Sequence, residues 1–106
     1  MPNVQHHLNL FREHLEAFYA TLKLAPPYHS IEKAVTTFAS EYESKTFEEQ
    51  EQFNLDETLR QRWYQDAFIE SGLYKKHRGI IVGLINGPNS PPVAKEFQYL
   101  IQPFLK

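Results

Sequence analysis

The chain has 106 residues, 42% of them hydrophobic and 23% charged, with a formal net charge of −2 and no cysteine. That length suits one domain spanning 1–106, able to bury roughly 65% of the surface its unfolded form exposes, and the composition is that of an ordered globular protein. A disulfide framework, a thiolate metal site and a cysteine nucleophile are excluded, and short apolar runs such as Ile80 to Val82 fall far short of the ~20 residues of a membrane span.

Taken in chain order, Val4, Leu8, Phe11, Leu15, Phe18 and Leu22 step by four and three, one apolar stripe of a helix. The pattern predicts a helix over 4–24, capped by Asn3 and stopped by Pro26-Pro27. Ser30 reads as the cap of a second helix over 31–44, with Ile31, Val35, Phe38 and Tyr42 facing inward. Thr46-Phe47-Glu48-Glu49 has the form of a capping box and starts a short helix over 47–53. Asp56 caps a fourth over 57–71, whose buried face carries Leu59, Trp63 and Ala67. Gly72 suits the left-handed position that ends it.

Residues 75–86 read two ways. Gly79-Ile80-Ile81-Val82-Gly83-Leu84-Ile85 is β-branched and bounded by glycine, as in a buried strand. No other segment reads as β, so such a strand would leave its backbone groups unpaired. A helix is the expectation, with Gly79, Gly83 and Gly87 on one face that another backbone approaches. Ser90 and Pro91 open a last helix over 91–102, which Pro103 ends. The fold class is therefore all-α, an irregular bundle of five or six short helices.

Candidate chemistry is sparse. His6, His7 and His14 do not form the i, i+4 pair of a helical metal site, and no metal or cofactor is expected. No serine lies in a nucleophile elbow, no glycine run matches a phosphate loop, and no carboxylate is marked as buried. An enzyme of unassigned class is the weakest reading. The absence of cysteine fits a reducing compartment, so a cytoplasmic protein is expected. No basic start followed by an apolar block opens the chain, so no signal peptide is expected.

Charge is unevenly spread. From Glu32 to Glu57 eight acidic residues face Lys33 and Lys45, whereas from Arg60 to Arg78 five basic residues face Asp66 and Glu70. The basic stretch makes Arg62, Lys75, Lys76, His77 and Arg78 candidate contacts for phosphate or nucleic acid. The helix pair 47–53 and 57–71 has the lengths of a helix-turn-helix, with Arg60, Gln61, Arg62 and Gln65 as base-reading types. Against that, the first helix carries Glu48, Glu49 and Glu51.

Aromatic residues are frequent, at eight Phe, six Tyr and one Trp, and some are expected to stay partly exposed. Tyr64 and Phe68 lie about 100° round from the Trp63 face, at the edge of the buried stripe. With Arg60 and Gln61 they have the make-up of a partner-binding hot spot. The expected function is a non-catalytic protein-interaction domain, an adaptor, inhibitor or assembly subunit. Nucleic-acid binding through the basic stretch is the alternative.

Overall fold

The computed structural model describes residues 4–88 and 92–104, and among them every regular element is helical. The order is α1 (Val4–Thr21), α2 (Tyr28–Ser44), α3 (Phe47–Leu55), α4 (Glu57–Glu70), α5 (Leu73–Lys76), α6 (Arg78–Ile85) and α7 (Gln98–Ile101). Short 3₁₀ turns at Lys95–Phe97 and Gln102–Phe104 flank α7. No described helix is long and apolar enough to cross a membrane.

The stripe on α1 is the centre of the core: Phe11, Leu15 and Phe18 are fully buried and Leu22 nearly so. The helix stops before the two prolines, three residues short of the predicted end. Lys23 takes a left-handed conformation with φ 60°. Leu24 N–H then bonds to Tyr19 O at 3.0 Å and Lys23 N–H to Ala20 O at 3.0 Å. This is a Schellman stop built without glycine, at a cost of about 1 kcal/mol for the side chain in that region.

The second helix starts earlier than 31. Pro27 holds the N-cap position with φ −81°, and no side chain caps the helix. Ser30 is not the cap; it lies inside the first turn, buried, and its hydroxyl accepts a bond from Lys76 Nζ at 2.9 Å. The capping box at Thr46 is present in both directions. Asp56 Oδ1 accepts the N–H groups of Thr58 and Leu59, and Gly72 is left-handed at φ 89°.

The ambiguous segment is helical but broken. α5 and α6 replace one helix over 75–86, with His77 between them at φ −112°. Among the described residues no other segment's backbone approaches the glycines: a Cβ at Gly79 or Gly83 would meet nothing within 4 Å, and one at Gly87 would meet only the carbonyls of Gly83 and Leu84 just before it. At the C-terminal end Ser90 and Pro91 lie outside the described residues. Helical structure begins only at Lys95 and includes Pro103 in its final turn. Phe97, Tyr99, Leu100, Ile101 and Phe104 are buried there, because this segment returns to the body of the bundle.

The arrangement that matters for function involves α1, α2 and α4. α2 packs along both others, whereas the backbones of α1 and α4 scarcely meet. Only large side chains span the gap. Phe11 stacks on Tyr64 with centroids 4.8 Å apart, and further along Phe18 meets Phe68 edge-on at 6.2 Å. The two helices therefore run parallel, with a slot between them.

Candidate binding groove

The C-terminal segment fills one half of that slot. Phe97 packs on His14 and Phe18 of α1, and Phe104 packs on Phe68 of α4. Two polar contacts fix the register. Gln65 Nε2 donates to the Tyr99 backbone carbonyl at 2.6 Å, and His14 Nδ1 lies 2.7 Å from the Tyr99 hydroxyl.

The other half is open. It forms a groove of about 460 Å³ between His6, His7 and Leu10 of α1 and Glu57, Arg60 and Gln61 of α4, with Asn54 at one end and Tyr99 and His14 at the other. Tyr64 forms the floor. The spacing of α4 explains the resemblance between the halves: Gln61 lies one turn before Gln65, on the same face. Gln65 is bonded to the C-terminal segment, while Gln61 has no partner among the described residues.

Two buried polar atoms at this groove also lack a hydrogen bond among the described residues, His7 Nδ1 and the Tyr64 hydroxyl. Their residues are only 6% and 7% exposed, so water does not solvate them freely, and leaving such a group unpaired costs about 1–3 kcal/mol. His7 Nε2 lies 2.7 Å from Asn54 Oδ1 and donates to it in the orientation the amide takes, which leaves Nδ1 as the bare nitrogen of a neutral ring. Burial is the main reason that His7 titrates below its ordinary value; the Asn54 bond opposes it, and the charges of His6 and Arg60 add to it. Burial likewise pushes the Tyr64 hydroxyl up to about 12, with Arg60 pulling the other way. Arg60 thus acts on both unpaired groups. Its Nη1 donates to the carbonyls of Phe53 and Asn54, fastening the end of α3 and placing a cation at a helix C-terminus.

The residues expected at a partner site divide. Arg60, Gln61 and Tyr64 line one groove. Phe68 does not: it is fully buried against Phe18, Tyr74 and Phe104. The exposed edge expected for Tyr64 is corrected too. Its ring lies between Phe11 and Phe38, because the C-terminal segment and α1 cover the face that α4 alone leaves open.

The basic stretch does not form one surface. Arg60 and Arg62 project about 200° apart on α4, and Arg62, Lys75 and Arg78 are exposed. His77 Nδ1 meets the Tyr19 hydroxyl at 3.1 Å. Lys76 reaches Ser30 in a separate recess with His29, Lys33 and Ser71. Of the types expected to read bases, Arg60 and Gln65 are bonded within the fold. The histidines of α1 and Tyr99 were not marked as binding residues by the sequence. The available signal was that His7 lies four residues before Phe11, on the buried stripe.

Comparison with known proteins finds no matching family model, no matching curated protein and no matching solved structure. The groove itself therefore carries the functional argument.

Proposed function

We propose that the chain is a non-catalytic binding domain that takes a segment of a partner protein in the open half of the α1–α4 slot. One observation carries this reading: the filled half is a precedent within the fold for a segment seated in the slot. There a helical turn inserts aromatic rings and offers a backbone carbonyl to Gln65. The open half repeats that arrangement with Gln61 and with the unpaired groups of His7 and Tyr64. Leu10, 42% exposed at its rim, adds apolar surface. A buried polar floor with an apolar rim suits a peptide, whose backbone supplies hydrogen bonds and whose side chains fill the remainder.

The test is a photo-crosslinking residue placed at Gln61, with Glu43 on the exposed face of α2 as the control. In an extract of the native host, Gln61 is expected to form a discrete adduct that Glu43 does not form. Leu10→Asp, which puts a charge at the rim, should remove the adduct while leaving the fold intact. Equal labelling from both positions, or an adduct indifferent to Leu10→Asp, contradicts the proposal.

A further inference from the structure

We infer that the open half of the slot recognises a carboxylate, held between Arg60, the Tyr64 hydroxyl and His7, and supplied by an acidic residue of the docked segment. The inference deepens the docking reading above and rests on it. It starts from three residues that line one groove. The Tyr64 hydroxyl is a buried donor with no acceptor among the described residues. Arg60 spends Nη1 on the α3 carbonyls, and no carboxylate pairs with it among the described residues. The rest of its fork of N–H groups matches a carboxylate edge. His7 Nδ1 has no partner among the described residues and becomes a third donor once the ring is protonated.

Among the described residues lining the groove, Arg60 is the positive charge and Glu57 the only carboxylate, and His6 and His14 join them from α1. Tyr99, from the C-terminal segment, stays protonated because burial raises its hydroxyl. A bound carboxylate would offset the desolvation that now keeps His7 neutral, so binding should take up a proton. A docked backbone amide would behave differently. It would use neutral His7 as an acceptor for its N–H, and acid would weaken it. The sign of the pH dependence therefore separates the two chemistries.

Benzoate and benzamide are suitable probes, being nearly the same shape and differing in charge. Each is titrated into the full chain while the ring signals of His7 and Tyr64 are followed by NMR. Benzoate is expected to shift both signals, to bind about tenfold more tightly at about pH 6 than at about pH 8, and to outbind benzamide. Tyr64→Phe should weaken benzoate by about tenfold, the usual loss of a hydrogen bond to a charged group, without lowering the stability of the free domain. A purely structural hydroxyl would do the reverse. Benzamide binding as well as benzoate, benzoate binding that weakens in acid, or neither probe reaching His7 and Tyr64 would each overturn the inference. Its failure is distinct from that of the docking reading. If the Gln61 adduct forms and benzoate does not bind, only the carboxylate is lost. If benzoate binds and no adduct forms, the anion recognised is a free small molecule.

Discussion

The two halves of the α1–α4 slot use similar residues to different ends. In the filled half, Gln65 and His14 are bonded to Tyr99, and aromatic rings close the gap. In the open half, Gln61, His7 Nδ1 and the Tyr64 hydroxyl have no partners among the described residues. The filled half contributes to stability. The open half carries unpaired polar groups that a well-packed core would not retain, and destabilised sites of this kind are where binding is expected.

The largest difference should appear on truncating apolar side chains. Leu100 is fully buried in the segment that fills the slot, whereas Leu10 stands at the open rim. Leu100→Ala should cost about 2–5 kcal/mol in urea unfolding, and Leu10→Ala less than about 0.5 kcal/mol. Similar losses would mean that the halves do not differ as described. The two glutamines give a smaller version of the test. Gln65→Ala should cost about 1 kcal/mol by leaving the Tyr99 carbonyl unpaired, and Gln61→Ala close to nothing.

Much of the fold was legible because it is set locally. The four-and-three spacing from Val4 to Leu22, the Thr46–Glu49 box and the Asp56 cap each need only a few neighbouring residues. Ser30 misled for the same reason. A serine before an apolar residue resembles a cap, yet Pro27 had already begun the helix and the hydroxyl was engaged by Lys76, 46 residues away. Arg60, Gln61 and Tyr64 were legible together because one helix face holds them. Their neighbours His7, His14 and Tyr99 arrive from distant parts of the chain. The burial of Phe68 was hidden because Phe104, which covers it, belongs to a segment whose return path no local pattern records.

A third comparison concerns acid. Burial lowers the titration of both His7 in the open half and His14 in the filled half, with Glu96 opposing it at His14. Their folded values lie below the ordinary 6.5, so the unfolded chain binds more protons below that pH. The stability they contribute is complete above 6.5 and is lost as pH falls through the folded values. Glu41 has the opposite sign: burial and the neighbouring Glu70 push it up to about 7, so its contribution is complete below its ordinary value and is lost as pH rises toward 7. Unfolding midpoints across this range should therefore show an acid limb that shrinks in His7→Asn with His14→Asn, and a separate rise near neutrality in Glu41→Gln. An acid limb unchanged in the histidine double variant would contradict the assignment.

The central claim is that the open half holds polar groups kept for a ligand, and two tyrosines test it most directly. The Tyr99 hydroxyl is bonded to His14, whereas that of Tyr64 is buried and has no partner among the described residues. Urea unfolding of Tyr64→Phe and Tyr99→Phe removes one oxygen from each half. Tyr99→Phe is expected to lose about 1 kcal/mol and Tyr64→Phe to lose nothing or gain up to about 1 kcal/mol. A Tyr64→Phe variant destabilised as much as Tyr99→Phe would show that its hydroxyl is already satisfied within the fold, and would contradict the account.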